Sequence, residues 1–409
     1  MELVNQKYQI DGVDVQEMAQ RFGTPLFVYS AATIEQQYQR LRDAFAATRI
    51  RLNYACKALN NINILRLLCR QGAGLDAVSI HEVRLGLMAG FPAERILFTP
   101  SGVSMEELDE AVEAGVCVTL DSLSLMEKYG RKYGSSRPVF VRINPHVMGG
   151  GHLKISTGHK GSKFGISHEL ADDILEVARR YGIRIEGLHM HTGSDILDLE
   201  VFFASADIMF RTAVKFPDLK QLDFGSGFKV PYKPDDYATD IDQLGRELSA
   251  RFNDFCTQYG RPLTLIFEPG KYMVSQAGYF ITKVNVVKET PLTTFAGINT
   301  GLNHLIRPMF YDAYHHIVNA SNPAGPEKRY SVVGYICETD TFAWERPLPE
   351  VREDDLLVFL NAGAYCYTMS SNYNARPRPA EVLVRDGRAE LIRSAETFDD
   401  LLRHQIDLG

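Results

Sequence analysis

The sequence predicts a (β/α)₈ barrel followed by an antiparallel β-sandwich or β-barrel domain. Eight short β-rich runs recur along the first two thirds of the chain, and segments with helical periodicity lie between them. After about residue 275 the helical pattern gives way to alternating or continuous apolar runs. Strands that alternate with helices favour parallel β/α architecture, and eight is the number that closes a barrel. An open doubly wound sheet is the alternative, although eight strands are many for an open sheet.

The predicted barrel elements follow one another in a regular order. Apolar residues recur at helical spacing in several of the segments that separate the strands. Together these elements define a predicted barrel domain over residues 30–275. The predicted strands begin at residues 51, 75, 96, 117, 139, 185, 221 and 263, and the predicted helices cover residues 61–70, 80–89, 105–114, 168–181 and 241–259.

The last part of the chain reads as β structure. Runs such as YFITKVNVVKET and RYSVVGYI have strand composition, and the turn sequence RDG follows a further run at residues 385–387. A short β-like piece at residues 25–29 is predicted to join them. The second predicted domain therefore combines residues 1–29 with residues 276–409.

Composition excludes several classes of protein. The chain has 44 Lys and Arg against 51 Asp and Glu, a net charge of −7, which argues against a nucleic-acid surface. The N-terminus has neither the basic nor the apolar region of a secretory signal, and the longest uncharged stretch, residues 356–375, carries too many polar side chains to span a membrane. None of the six cysteines forms a C-x-x-C pair, so no metal is predicted and reduced thiols in a cytoplasmic protein are expected.

A glycine-rich, polar insertion follows the fifth predicted strand. It covers residues 144–167 and is long for a loop between a strand and a helix. A functional lid and a disordered surface loop both fit this composition.

Reactive side chains in a β/α barrel lie at the carboxyl ends of the strands. Lys57 follows the first strand, where it is either a solvated loop charge or an amine that bonds to a carbonyl group. His189 and His191 end the sixth strand and point to the same side. They fit a metal pair that lacks an obvious third ligand, an imidazole stacked on a planar cofactor, or structural histidines.

The seventh and eighth strands end in a glycine turn and a carboxylate. The turn Gly225-Ser226-Gly227 exposes backbone N–H groups to a phosphate but lacks the third glycine of a dinucleotide fingerprint. Glu268 is a candidate general base, metal ligand, partner of a protonated ring nitrogen, or member of a surface pair. A lysine, an aromatic stacker, a phosphate cradle and a carboxylate at one barrel face are the groups that pyridoxal 5′-phosphate requires.

Nine sequence motifs, in order, extend this interpretation over nearly the whole chain. They include YACKALNN, GLHMHTGSDI, LDFGSGF, FEPGKYMVSQAG, GLNHLIRPMFYDAYHHI and YICETDTFA. The set resembles the fold-type III pyridoxal-phosphate decarboxylase family, and most closely its diaminopimelate decarboxylases. The resemblance implies decarboxylation of meso-2,6-diaminopimelate to L-lysine and CO₂, the last step of lysine biosynthesis. Decarboxylation of another diamino acid or a carboxylated polyamine is the alternative, followed by a racemase, which Glu268 disfavours, and by a non-catalytic binding protein.

The resemblance also implies roles for individual residues. Lys57 is the covalent attachment point of the cofactor, His191 stacks on its ring, and Cys337 returns a proton to the carbon that has lost CO₂. The three implied catalytic residues are therefore Lys57, His191 and Cys337. The implied cofactor-binding residues are Lys57, Asp76, Arg142, His191, Ser194, Gly225, Ser226, Gly227, Glu268, Pro269, Gly270, Lys271 and Tyr365, and the implied substrate-binding residues are Lys271, Arg307, Tyr311, Glu338 and Tyr365.

In this family the cysteine and the following glutamate reach the active site of a second subunit, so the resemblance implies a homodimer with shared sites. A buried small hydrophobe is the ordinary alternative for Cys337. The chain departs from the family pattern at Lys271, where many relatives have arginine, so a carboxylate contact there is expected to be single-pronged. Residues 99–104, TPSGVS, also differ from the commoner asparagine-rich version.

Overall fold

The computed structural model describes residues 1–150 and 157–409. The chain divides into two compact units. Residues 35–230 and 237–273 form one, here called the barrel unit. Residues 1–34, 231–236 and 274–409 form the other, here called the β unit.

The barrel unit contains a closed ring of eight parallel strands. Each strand pairs with the next along the chain, and the eighth pairs with the first through Leu265 and Ile50. The closed barrel is confirmed, and the open sheet was the wrong alternative. The eight strands, numbered here from first to eighth, are Ile50–Ala55, Gly74–Ala77, Ile96–Phe98, Cys117–Leu120, Val139–Asn144, Ile185–His189, Gln221–Asp223 and Thr264–Phe267.

Helices follow the strands, and local capping sets their ends. Ser79, Ser104 and Ser122 accept backbone N–H bonds at three helix starts, and Gly90 and Gly182 end two helices in the left-handed conformation. The helices after the fourth and sixth strands were missed; the helix after the sixth is so rich in apolar residues that its period is hidden. The helices are Ile62–Arg70, Ile80–Ala89, Met105–Glu113, Leu123–Tyr133, Ala171–Tyr181, Leu199–Ala213, Ile241–Tyr259 and Lys271–Val274, with 3₁₀ turns at Cys56–Ala58, Ala93–Arg95 and His168–Leu170.

The interior of the barrel holds a small apolar cluster. Leu97, Phe140 and Ile266 come from the third, fifth and eighth strands and pack together. Because these strands are not neighbours, their contact places the cluster inside the ring. Gly187 accommodates the cluster, since a Cβ atom at this position would lie 2.5 Å from carbon atoms of the Phe140 ring.

The β unit is built around one long strand, Gly278–Glu289. It pairs antiparallel with three others, including the N-terminal strand Leu26–Ser30, which confirms that the piece at residues 25–29 joins this sheet. The predominantly antiparallel domain is confirmed, but two pairings are parallel: Leu26–Ser30 with Ala380–Arg385, and Thr294–Ile298 with Glu327–Val333. These strands are far apart in sequence, so crossover connections rather than hairpins join them. The other strands are Glu2–Val4, Lys7–Ile10, Val13–Asp14, Ile317–Asn319, Thr341–Pro349, Leu356–Phe359 and Arg388–Arg393, and the helices are Val15–Phe22, Ala31–Ala44, which runs on into the barrel unit, Arg307–Tyr311 and Phe398–Leu402.

The glycine-rich insertion is only partly within the described residues. Residues 151–156 lie outside them, so the lid prediction is not tested there. On the far side, Thr157 and Gly158 donate backbone N–H bonds of 3.1 and 3.0 Å to the carbonyl oxygen of Thr192, and Ile166–Ser167 pairs with the fifth strand. In the described ranges, no helix has both the length and the apolar character needed to cross a membrane.

Candidate active site

Lys57 lies in the 3₁₀ turn that follows the first strand. Its Nζ atom is 3.3 Å from Oδ2 of Asp76, which comes from the second strand and is buried. The hydroxyl of Thr99, after the third strand, donates to the other oxygen of the same carboxylate. Burial raises the pKa of Asp76, whereas Lys57 and the Thr99 hydrogen bond lower it. Three neighbouring strand ends thus fix a carboxylate beside the lysine amine.

Glu268 lies at the end of the eighth strand and is 6% exposed. Oε2 is 3.0 Å from Nε2 of His189, which ends the sixth strand and is 1% exposed. Burial lowers the pKa of His189 well below its ordinary value, so the imidazole is neutral. In the described part of the chain, Oε1 of Glu268 has no hydrogen-bond partner. One oxygen of the carboxylate is therefore held by protein and the other is available to a ligand.

The glycine turn packs against His191 and is hydrogen-bonded to it. Ser226 donates its backbone N–H to Nδ1 of His191 over 3.3 Å. Gly225 has a φ of 62°, and a Cβ there would lie 2.5 Å from that Nδ1 atom. Gly227 has a φ of 120°, and its Cβ would lie 2.5 Å from the carbonyl oxygen of Gly193. Only glycine fits these two positions, and the turn leaves room for a close approach to backbone N–H groups.

His191 is neutral as well. Its pKa is well below the ordinary value because of burial first and of the nearby cations Lys57 and Arg142 second. Arg142, at the end of the fifth strand, is 7% exposed and lies over the ring of Phe164, 4.6 Å from its centroid. A neutral imidazole can stack on the aromatic ring of a ligand, and a nearby cation can attract an anionic group attached to that ring.

Lys271 has a partner that the sequence did not indicate. It is 8% exposed, and its Nζ atom is 2.7 Å from Oδ2 of Asp195, a residue with a φ of 61°. Ser194 precedes this aspartate and is half-buried, while Pro269 and Gly270 are buried beside Glu268. The backbone carbonyl of Pro269 accepts an N–H bond from Ala55 of the first strand, which ties the eighth strand end to the first.

In the β unit, Arg307 begins a short helix and is 5% exposed. Its guanidinium lies 5.5 Å from the ring centroid of Tyr232 and 5.7 Å from that of Tyr311. Its Nη2 atom is 3.5 Å from the Tyr232 hydroxyl, which in turn is 2.7 Å from the hydroxyl of Ser275. Two tyrosines therefore flank the guanidinium.

Cys337 and Glu338 are exposed on the β unit. The turn that carries them is organised by Asp340, whose carboxylate accepts the backbone N–H of Ile336 over 3.2 Å. Asn374 donates to the Cys337 sulfur over 3.4 Å, and the hydroxyl of Tyr373 donates to Glu338. Tyr365 belongs to the same unit, is half-buried and has a φ of 58°. The buried-hydrophobe alternative for Cys337 is therefore wrong.

Comparison with known proteins identifies the family. A family model described as pyridoxal-dependent decarboxylase, pyridoxal binding domain, matches residues 31–275. The chain is 40% identical to the diaminopimelate decarboxylase of Methanothermobacter thermautotrophicus, over 97% of this chain and 95% of that protein. The chain belongs to the diaminopimelate decarboxylase family of pyridoxal-dependent decarboxylases.

Two further members of the family agree. The diaminopimelate decarboxylase of Aquifex aeolicus is 36% identical over 98% of this chain and 96% of its own length. The structure of the Methanocaldococcus jannaschii diaminopimelate decarboxylase in complex with L-lysine has a TM-score of 0.92 and 33% identity, and the match covers 99% of this chain and 97% of that one. The protein is therefore a pyridoxal-phosphate-dependent decarboxylase, and the predicted family, fold and cofactor are confirmed.

The residues of the barrel face fit pyridoxal 5′-phosphate. The glycine turn forms a cradle that any Cβ atom would fill, and Oε1 of Glu268 is a buried acceptor that lacks a partner in the described ranges. Lys57 supplies an amine, and the Asp76 carboxylate beside it can accept a hydrogen bond from that amine. This donor set matches an aldehyde, a phosphate and a protonated ring nitrogen.

Sequence reasoning missed several residues of this face. Asp223 lies in the quoted motif LDFGSGF and ends the seventh strand, so its position was a usable signal. Thr99 lies in the segment noted as unusual, but its bond to Asp76 could not be foreseen. Asp195 lies in the quoted motif GLHMHTGSDI, but its pairing with Lys271 could not be foreseen, because the two residues are distant in sequence. Tyr232, in the β unit, carried no signal.

Proposed function

We propose that this decarboxylase converts meso-2,6-diaminopimelate to L-lysine and CO₂. The observation that carries the proposal is Arg307, a buried guanidinium between two tyrosines in a chain that belongs to the diaminopimelate decarboxylase family. The relative from M. jannaschii binds L-lysine, the expected product. A substrate with a carboxylate at its far end needs such a cation, whereas ornithine, with an amine there, does not.

On the barrel unit, the proposed cofactor residues are those of the strand ends. When bound, pyridoxal 5′-phosphate supplies the electron sink that stabilises the carbanion left by CO₂. Lys57 would be the covalent attachment point, and the Asp76 carboxylate beside it would influence whether the Lys57 amine is protonated. Glu268 would accept a hydrogen bond from the ring nitrogen of the cofactor, and His191 would pack against the ring. Ser194, Gly225, Ser226, Gly227 and Gly270 are proposed to hold the phosphate, with Arg142 as a supporting cation. Pro269 and Lys271 flank Gly270 in the cofactor-binding set, and Tyr365 of the β unit is proposed to hold the phosphate as well.

The substrate groups are assigned by charge. Arg307 and Lys271 bind the distal carboxylate, and Tyr311 and Tyr365 donate hydrogen bonds to it. Glu338 binds the distal amine. Since Asp195 holds Lys271 at 2.7 Å, the lysine contributes one N–H bond to the carboxylate, while Arg307 supplies the planar pair.

We also propose a homodimer in which each copy supplies Cys337 and Glu338 to the site of the other. Both residues are exposed, and Tyr373 and Asn374 hold them in place at the surface. The Sγ–H group of Cys337 donates a proton to the carbon that has lost CO₂. All six cysteines are free thiols, which agrees with a reducing cytoplasm as the compartment.

A substrate panel tests the reaction. Release of CO₂ is measured from meso-diaminopimelate, ornithine, lysine, arginine and carboxynorspermidine at matched concentrations. We expect kcat/KM for meso-diaminopimelate to exceed the others by about 10³-fold or more, since a lost buried ionic contact costs several kcal/mol. Preference for ornithine or carboxynorspermidine would overturn the substrate assignment.

Mixing two inactive variants tests the shared sites. Lys57→Ala and Cys337→Ala are purified separately, mixed, dissociated and reassociated. If sites are shared, half of the random dimers have one intact site, and about a quarter of the wild-type activity returns. If each chain builds its own site, the mixture stays inactive.

A further inference from the structure

A buried group of one imidazole and two carboxyl groups lies where the sixth, seventh and eighth strands end. It consists of His189, Asp223 and Glu268. One ring nitrogen of the histidine and one oxygen of each carboxyl group lie within 4.8 Å of one another. Their exposed fractions are 1%, 0% and 6%. Glu268 has a proposed role toward the cofactor, whereas His189 and Asp223 have none so far.

His189 fixes one side of Glu268. The imidazole is neutral, and an ionised carboxylate can only accept hydrogen bonds. The single ring proton therefore lies on Nε2, which donates a hydrogen bond of 3.0 Å to Oε2. This bond orients the carboxylate plane. In the described part of the chain, Oε1 keeps no partner.

Asp223 is the second carboxyl group of this cluster. Its Oδ1 atom accepts the backbone N–H of Gly225 over 2.9 Å, and Oδ2 has no partner within the described residues. Two bare carboxylate oxygens buried this close together repel each other, and one proton between them removes the repulsion. Burial first, and Glu268 second, raise the pKa of Asp223 well above its ordinary value.

The surrounding charges decide which carboxyl group stays ionised. Burial raises the pKa of Glu268, and the nearby cations Lys57 and Arg142 act against that rise. Asp76 raises the pKa of Asp223 further, whereas the hydrogen bond from the Gly225 N–H group and the charge of Arg51 lower it. The rise is stronger for Asp223 than for Glu268, so the charges nearby favour the proton on Asp223 and the negative charge on Glu268.

We propose that Asp223 is a positioning residue: it keeps a proton on Oδ2 and donates a hydrogen bond from this group to the Glu268 carboxylate. Together, the hydrogen bonds from Asp223 and His189 keep Glu268 ionised and oriented toward the ring nitrogen of pyridoxal 5′-phosphate. The inference rests on the proposed role of Glu268. A carboxylate accepts about four hydrogen bonds, so these two donors leave capacity for the ring nitrogen.

Infrared spectroscopy of the holoenzyme tests the proton directly. The protein is labelled with ¹³C at the aspartate carboxyl groups, and wild type is compared with Asp223→Asn at neutral pH. We expect a carbonyl stretch of a protonated, labelled carboxyl group in wild type that is missing in the variant. If no such band disappears, Asp223 is ionised and the proposal is wrong.

Two substitutions test the function of the proton. Asp223→Asn keeps an N–H donor toward Glu268 and an acceptor for Gly225, whereas Asp223→Ala removes both. We expect Asp223→Ala to weaken cofactor binding by about 10- to 100-fold, the range for a hydrogen bond to a charged group, and Asp223→Asn to stay within about threefold. ¹⁵N NMR of ring-labelled cofactor should report a protonated ring nitrogen in wild type and Asp223→Asn, and a partly deprotonated one in Asp223→Ala.

The outcomes separate this inference from the proposed function. Equal cofactor affinity and ring protonation in all three proteins would overturn the role of Asp223 and leave that of Glu268 standing. A deprotonated ring nitrogen in wild type would overturn both. If Asp223→Ala does not fold, as judged by circular dichroism, loss of ring protonation in Asp223→Asn decides against the proposal and its retention supports it.

Discussion

The barrel face and the Cys337 turn prepare their reactive groups in opposite ways. At the barrel face, Asp76, His189, Asp223 and Glu268 are buried, and each makes a hydrogen bond to a residue at the carboxyl ends of the strands. On the β unit, Cys337 and Glu338 are exposed, and they accept hydrogen bonds from Asn374 and Tyr373. Burial tunes protonation states, whereas exposure leaves a group available to another molecule. The first region fits a cofactor, and the exposure of the second agrees with the proposed delivery of Cys337 and Glu338 to a neighbouring copy.

Removal of the barrel lysine is the strongest test of this contrast. Lys57→Ala should lower decarboxylation by at least about 10⁴-fold, the scale seen when a covalent residue is removed. Borohydride reduction followed by peptide mapping should label Lys57 in wild type and leave the variant unlabelled. Lys220→Ala, which removes an exposed lysine paired with Glu186, is the control and should keep both label and activity. A label on another side chain in wild type would contradict the assignment.

Loss of the exposed thiol should act on turnover alone. Cys337→Ala removes a general acid, so kcat should fall by about 10²-fold or more while the absorbance of the bound cofactor stays unchanged. The alternative of a non-catalytic binding protein predicts no turnover in either protein. Cys69→Ala, a half-buried cysteine after the first strand, is the matched control. Unchanged kcat in Cys337→Ala would remove this residue from the mechanism.

A buried carboxyl group on the barrel should make stability fall as pH rises. Glu82 accepts the backbone N–H of Val78 over 2.8 Å, and burial raises its pKa from 4.5 to about 7. The folded state therefore holds this proton more tightly than the unfolded chain. The resulting stabilisation is complete below about pH 4.5 and is lost as pH rises through about 7.

Substitution by glutamine isolates this effect. The free energy of unfolding of Glu82→Gln relative to wild type should change by about 2 kcal/mol between pH 5 and pH 8, in favour of the variant at high pH. Denaturant unfolding at several pH values measures it, with Glu113→Gln on an exposed helix position as the reference. A difference that is constant with pH would show that Glu82 does not titrate on folding.

The sequence predicted the barrel because its signals are local. Each strand end carries its own residue, and the topology of a parallel barrel brings Lys57, His191, Glu268 and the glycine turn to one face without further information. It could not predict contacts between strand ends, such as Thr99 with Asp76 or Lys271 with Asp195, because these depend on side-chain directions and loop conformations set by the whole fold. The two parallel pairings of the β unit were missed for a similar reason, since alternation of apolar residues does not reveal strand direction.

Arg307 combines features of the two regions, because it is buried like the barrel groups but lies on the β unit. Arg307→Lys keeps the charge and removes one prong of a bidentate contact, so KM for meso-diaminopimelate should rise by about tenfold with kcat little changed. Arg346→Lys is the control, because Arg346 also lies over a tyrosine, Tyr314, at 4.0 Å. A fall in kcat at constant KM would mean that the guanidinium affects the chemical step at the reacting carbon and does not bind the distal carboxylate. If the variant instead gained activity toward ornithine, substrate selection in this protein would depend on the geometry of the fork and not on its charge alone.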